Sequence, residues 1–127
     1  MSPLIIEATK STPRIQFDPT GHRLEITGES YPEHAAKFYG PVFDWLEAYL
    51  AEPSPAALGV NLQLIYFNSS TSKILLNLFD RLDQVAGGGR PVTIQWRFDQ
   101  DNEVAQECGE EFQDEVSHAT FELVPLP

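Results

Sequence analysis

Apolar and polar residues alternate along several short segments, and this pattern predicts β-strands. The first two strands have Ile15 with Phe17 and Leu24 with Ile26 as apolar positions, and the Asp-Pro-Thr-Gly turn at 18–21 between them predicts a hairpin. Further strands are predicted at 92–98 and, as an edge strand, at 121–123. Residues 4–8 are a candidate for an additional strand.

The segment 58–67 has a different pattern. It alternates at first and then becomes apolar on both faces in Ile65, Tyr66 and Phe67. A strand that is apolar on both faces is typical of the centre of a sheet with helices on each side. We therefore expect this strand to be central and covered by helices.

The first segment with helical spacing follows the hairpin. Ser30 and Glu33 have the spacing of a capping box, which predicts a helix beginning near Ser30. Pro41 lies inside the apolar stripe of this helix. Proline removes a helical hydrogen bond, so we expect either a kink or a fresh start near Gly40.

Two more helices are predicted further along the chain. The second is amphipathic over 74–85 and ends at the three glycines 87–89. The third is weaker and has Val104, Cys108 and Phe112 at four-residue spacing. Helical crossovers between strands imply at least partly parallel pairing. The sequence thus predicts a single compact α/β domain, 1–127, with a mixed β-sheet of about five or six strands and three helices.

The charge balance limits the possible functions. The 127 residues include 19 acidic and 8 basic side chains, a net charge of −11. Nucleic acids and anionic membrane surfaces attract basic stripes, so neither is expected as a partner. The acidic cluster at 99–115 is interpreted as a solvated helix face, with attraction of a basic partner as the alternative.

Other features predict a cytoplasmic protein without membrane insertion. No stretch approaches the roughly 18 apolar residues of a membrane helix. The N-terminal residues lack the basic and apolar pattern of a signal peptide. The single cysteine, Cys108, fits a reducing compartment.

Catalytic and metal chemistry find little support. His22, His34 and His118 are far apart in the sequence, and one cysteine cannot form a zinc site of the usual spacing. A nucleophilic Ser69 or Ser70 would need a nearby base, and no histidine lies in a recognisable triad context. We therefore expect no metal, no cofactor, no catalytic residue and no enzymatic activity.

The run Asn68-Ser69-Ser70-Thr71-Ser72-Lys73 carries the main functional signal. It connects an apolar strand to an amphipathic helix, where free N–H groups and the helix dipole favour an anion. One interpretation is that a hydroxyl, such as that of Ser70 or Thr71, caps the helix and the others are solvated. The other is that one hydroxyl is phosphorylated, which adds about 1.5 to 2 negative charges.

Several motifs together resemble a known family. They are Ser11-Thr12-Pro13-x-Ile15-Gln16, Gly28-Glu29-Ser30-Tyr31-Pro32-Glu33, Asp44-Trp45, Leu64-Ile65-Tyr66-Phe67-Asn68-Ser69-Ser70, Phe79-Asp80, Gly88-Gly89-Arg90-Pro91-Val92 and Trp96. In order and spacing the chain resembles the SiaC-type regulatory phosphoproteins of bacteria. These proteins are similar to the anti-sigma factor antagonists of partner-switching systems, so the resemblance implies a STAS-like arrangement.

The resemblance implies a site and a set of partners. The phosphate acceptor falls on Ser69, where the family usually has threonine, with Ser70 and Thr71 as rivals and with Asn68, Ser70, Thr71 and Lys73 supporting the corner. A Ser/Thr protein kinase would add the phosphate and a PP2C-type phosphatase would remove it. The unmodified form would bind and activate a diguanylate cyclase and so raise cyclic di-GMP and favour biofilm.

Two other functions remain open at this point. One is an anti-sigma factor antagonist that acts on an anti-sigma kinase in transcription control. The other is a constitutive binding module whose hydroxyl-rich corner takes a small anion or a nucleotide.

Overall fold

The structure, a computed structural model, describes all residues from Met1 to Pro127. It contains one six-stranded sheet and three helices, as the α/β prediction requires. The strands are β1 (Leu4–Ile6), β2 (Arg14–Asp18), β3 (Arg23–Ser30), β4 (Leu58–Phe67), β5 (Val92–Asp99) and β6 (Thr120–Leu126); the helices are α1 (Ala35–Leu50), α2 (Ser69–Gly87) and α3 (Glu103–Asp114).

The strands follow one another across the sheet in sequence order. β1, β2 and β3 pair antiparallel, and β3 to β6 pair parallel through α1, α2 and α3. Parallel crossovers are almost always right-handed, so three successive crossovers in one direction place all three helices on the same face. The result is two layers, with the core between the helices and one face of the sheet.

The covering of β4 differs from the prediction. β4 is central, between β3 and β5, but helices cover only one of its faces. Val60, Leu62 and Leu64 are buried on the helix face, whereas Asn61 lies on the open face and Ile65 is 65% exposed. Two-sided covering is therefore wrong, because it would require crossovers in both directions from a central strand.

The start of α1 also differs from the prediction. Ser30 is the last residue of β3 and pairs with Phe67, whereas the residue at the N-cap position of α1 is His34, so Ser30 does not cap this helix. α1 begins at Ala35 and has no side-chain cap. The helix continues through Pro41, so a fresh start near Gly40 is wrong as well.

α2 ends at Gly87, as predicted. The face of α3 that packs on the core differs in part from the predicted one. Its buried residues are Ala105, Gly109 and Phe112, whereas Val104 is 70% exposed. A Cβ atom on Gly109 would lie 2.5 Å from Trp96 Cδ1. The small residues thus allow the helix to approach Trp96 closely. Of the predicted stripe, Phe112 lies in the core and Cys108 packs against it, but Val104 points away from it.

Candidate functional site

The corner between β4 and α2 is closed by Asn68. Its backbone is extended, and its Oδ1 accepts a hydrogen bond from Thr71 N at 2.9 Å. Asn68 is therefore the N-cap of α2. The expectation that Ser70 or Thr71 caps this helix is wrong, because the helix begins at Ser69 and both residues already lie in its first turn.

Thr71 belongs to a buried network of three hydroxyls. Its Oγ1 lies 2.8 Å from Ser30 Oγ and donates to Ser30 O at 3.0 Å, and Ser30 Oγ lies 2.7 Å from Tyr39 Oη. Burial raises the pKa of Tyr39 to about 12, although the hydrogen bond with Ser30 acts in the opposite direction. Thr71 has no exposed surface, so a kinase cannot reach its hydroxyl in this fold.

Sequence reasoning missed Ser30 and Tyr39 as members of this corner. A serine between strand and helix resembled a cap, and Tyr39 fitted the apolar stripe of α1. The hydroxyl group of each side chain could have indicated the network, since a buried hydroxyl needs a hydrogen-bond partner. The network joins the end of β3, α1 and the first turn of α2, and so fixes the position of the corner.

Ser69, Ser70 and Lys73 are exposed on the first turns of α2. The first N–H groups of a helix have no intrahelical acceptor, and the positive end of the helix dipole lies there. Lys73 takes part in no ion pair and is four residues after Ser69, on the same side of the helix. The corner can therefore accommodate negative charge at Ser69.

An apolar groove of about 360 Å³ lies directly beside Ser69. We call it the corner groove; its walls include Ile65, Tyr66, Ser69, Asn102, Val104 and Cys108. Tyr66 and Val104 are 54% and 70% exposed. Apolar side chains that cluster at a rim in this way are typical of a protein docking site.

Cys108 is partly buried in this groove and has no disulfide partner. Burial raises the pKa of its thiol, and the negative charges of Glu111 and Glu107 raise it further. The thiol therefore stays protonated and unreactive near neutral pH.

The opposite end of the sheet contains a larger cavity of about 650 Å³, lined in part by His22 and Tyr49. Tyr49 Oη lies 2.5 Å from His22 Nδ1 and accepts a hydrogen bond from Arg90 Nη2. No three or more histidine, cysteine, aspartate or glutamate side chains come together as a metal site would require.

The fold and the corner together define a class of protein. A two-layer α/β domain with an apolar groove at the end of its sheet, and exposed polar side chains beside that groove, has the features of a regulatory protein that binds a partner. The description "SiaC family regulatory phosphoprotein" applies to the family model that matches residues 6–126. The chain belongs to the SiaC family.

Individual relatives agree with this assignment. An uncharacterized protein of Pseudomonas aeruginosa strain UCBPP-PA14 is 41% identical over 117 residues, which is 92% of each chain. The crystal structure of apo-SiaC from Pseudomonas aeruginosa is similar with a TM-score of 0.90 and 39% identity, and the match covers 98% of this chain and 99% of that one. A chain in the crystal structure of the diguanylate cyclase SiaD with its activator SiaC gives a TM-score of 0.91 and 38% identity, covering 97% and 99%.

None of the three helices combines the length and the apolar character that crossing a membrane requires.

Proposed function

We propose that this chain is a non-enzymatic partner-switch protein of the cytoplasm, in which residues 1–127 act as one regulatory domain. In its unphosphorylated form it binds and activates a diguanylate cyclase, which raises cyclic di-GMP and favours biofilm. Membership of the SiaC family and the similarity to the chain found with SiaD support this proposal. The observation that carries it is the exposed Ser69 on the wall of the corner groove.

Ser69 is the phosphorylation site in this proposal. Ser69 lines the groove, whereas Ser70 does not and Thr71 is buried. A phosphate on Ser69 would meet the helix N-terminus and could pair with Lys73, so the modified state is tolerated by the fold. A Ser/Thr protein kinase adds this phosphate and a PP2C-type phosphatase removes it.

The switch works through the apolar surface beside the phosphate. A partner that covers Ile65, Tyr66 and Val104 must also remove water from the neighbouring Ser69. A phosphate carries about 1.5 to 2 negative charges, more than Lys73 alone neutralises, and burying the uncompensated charge at an interface costs several kcal/mol. Phosphorylation therefore releases the cyclase, and dephosphorylation restores binding.

The acceptor is tested by incubating the protein with its cognate kinase and ATP. Intact mass should rise by one phosphate, and peptide mapping should place it on Ser69. Ser69→Ala should take up no phosphate, whereas the matched variant Ser70→Ala should be modified normally. Phosphate on Ser70, or undiminished incorporation in Ser69→Ala, would disprove this assignment.

The switch is tested by titrating the cognate diguanylate cyclase with both forms of the protein. The bare form should bind and raise cyclase activity, and the phosphorylated form should bind much more weakly. Ser69→Asp should have a smaller effect than phosphate, because a carboxylate has one charge and two oxygens. Equal affinity of the two forms would contradict the proposed switch.

A further inference from the structure

Arg97 on β5 has unused hydrogen-bonding capacity. Its neighbours Trp96 and Phe98 are buried in the core, so its side chain lies on the open face of the sheet. Its Nε is buried without a hydrogen-bond partner. Its side chain makes a single hydrogen bond, from Nη2 to Gln95 Oε1 at 3.2 Å. A guanidinium has five N–H donors, and buried donors in native proteins are nearly always satisfied, so Arg97 lacks an acceptor.

Arg97 forms no ion pair within the chain. The chain has 19 acidic side chains against 8 basic ones, yet none lies within ion-pair distance of Arg97. Asp99 is the acidic residue beside it, and Asp99 Oδ1 instead accepts a hydrogen bond from Asp101 N at 2.8 Å. The two Nη groups, rather than the buried Nε, are therefore available to an acceptor from outside the chain.

Arg97 lies in a cleft where two strands separate. The ladder between β4 and β5 ends at the pair Leu62–Trp96, although β4 continues to Phe67 and β5 to Asp99. A cleft of about 310 Å³ opens in this region, and Arg97 is one of its walls. An incoming side chain can thus reach the guanidinium.

This cleft adjoins the corner groove. Ile65 and Asn102 line both, and Asn102 Nδ2 donates to Ile65 O at 3.2 Å. One surface therefore has Ser69 on one side, the exposed Ile65 at its centre and Arg97 on the other side. Interfaces commonly combine an apolar centre with an arginine anchor.

We propose that Arg97 is the charged anchor of the cyclase-docking surface and binds a carboxylate side chain of the diguanylate cyclase. The guanidinium fork matches a carboxylate in a bidentate pair. A small free anion would bind Arg97 but leave Ile65 exposed. An acidic residue of a protein partner, flanked by apolar residues, would bind Arg97 and cover Ile65 at the same time. This inference rests on the proposed function and names a specificity-determining residue for it.

The test compares three variants in titrations with the cognate diguanylate cyclase. Arg97→Met keeps the length of the side chain but removes its charge, and Arg97→Lys keeps the charge but removes the fork. The matched control is Arg23→Gln, which removes an exposed cation at the start of β3. We expect Arg97→Met to weaken binding at least about tenfold, Arg97→Lys to weaken it less, and Arg23→Gln to have little effect.

Thermal melting separates docking from a structural role. Because Arg97 Nε has no partner within the chain, Arg97→Met should melt at or above the temperature of the parent protein. The phosphorylation rate of Ser69 by the kinase should also be unchanged. An unaltered melting temperature with a loss of cyclase affinity supports the proposal.

The contrary outcomes are distinct. If the parent protein binds the cyclase and Arg97→Met binds equally well, the inference about Arg97 is wrong and the proposed function stands. Equal losses in Arg97→Met and Arg23→Gln would show a general charge effect and would also overturn it. A slower kinase reaction without loss of cyclase affinity would assign the surface to the kinase instead. If the unphosphorylated parent does not bind the cyclase, the proposed function and this inference both fail.

Discussion

Arg90 and Arg97 lie at opposite ends of the parallel strands and differ in how many contacts they make. Arg90 Nε donates to Ala56 O at 2.7 Å, and its Nη2 donates to Tyr49 Oη and lies 3.3 Å from His22 Nδ1. Arg97 makes one hydrogen bond and has a buried Nε without a partner. One guanidinium is used by the fold, and the other is available for binding.

The surroundings of Arg90 and Arg97 also differ: aromatic side chains pack beside Arg90, and the sheet is open beside Arg97. At the amino end of the parallel strands, Arg90 Cζ lies 5.1 Å from the centre of the Tyr49 ring, and Tyr49 stacks on Trp45. At the carboxyl end, Ile65 and Val104 are exposed and β4 separates from β5. Open α/β sheets usually bind their ligands at the carboxyl ends of the strands. The difference separates an arginine that stabilises the amino end from one at the carboxyl end that is free for the proposed docking.

The largest stability effect is expected for Arg90→Met. This change leaves Ala56 O without its donor and removes one of the two hydrogen-bond partners of Tyr49 Oη; an unpaired, partly buried acceptor typically costs about 1–3 kcal/mol. The melting temperature should fall by several degrees, whereas cyclase affinity measured well below melting should be unchanged. Arg23→Gln is again the control. If Arg90→Met melts like the parent, or loses cyclase affinity while folded, the division between the two ends is not valid.

A smaller effect is expected at the corner itself. Asn68→Ala removes the N-cap of α2 and should lower the free energy of unfolding by about 1 kcal/mol. The exposed neighbours Ser69→Ala and Ser70→Ala should each stay within about 0.5 kcal/mol of the parent. Denaturant titrations of the three variants measure these differences. A larger loss in Ser69→Ala than in Asn68→Ala would show that Ser69 supports the fold and would weaken its assignment as a free acceptor.

The smallest effect concerns Asp83, near the amino end. Its carboxylate accepts hydrogen bonds from the N–H groups of Ser117, His118 and Ala119 at 2.7–3.1 Å. Burial raises the pKa of Asp83, but these N–H groups lower it more, and the pKa lies below its ordinary value. A lowered folded pKa means that the stabilisation is present above the unfolded pKa and is lost as pH falls through the folded value.

Asp83→Asn should therefore reduce the melting temperature modestly at neutral pH, and the difference from the parent should shrink below about pH 4. The effect is small because the carboxylate is largely solvated. Asp80→Asn, an exposed change one turn earlier on α2, is the control. A difference that stays constant from pH 7 to pH 2 would contradict the role given to the charge of Asp83.

Local pattern predicted most of the elements. Alternation at 15–26 and 92–98 gave the strands, the Asp-Pro-Thr-Gly turn gave the hairpin, and Gly87 marked the end of α2. The strand–helix corner at Asn68 was also predicted. These features depend on residues within one or two turns of each other, so the sequence contains the information directly.

The errors share a different cause. Ser30 and Thr71 are 41 residues apart, and only their contact decides that Ser30 is no cap and that Thr71 is no exposed acceptor. Helices cover one face of β4 because successive crossovers advance in the same direction across the sheet. The alternation of apolar and polar residues within a single strand does not show in which direction the next crossover runs across the sheet.

By itself, the sequence determined that a hydroxyl-rich run connects a strand to a helix, because residue type and spacing act locally. The tertiary structure alone decided that Thr71 is buried while Ser69 is exposed, that Ile65 and Val104 line the groove beside Ser69, and that Arg97 Nε has no acceptor. The burial of Thr71 depends on its contact with Ser30, and the cleft at Arg97 depends on where β4 and β5 separate. Packing between distant segments sets both.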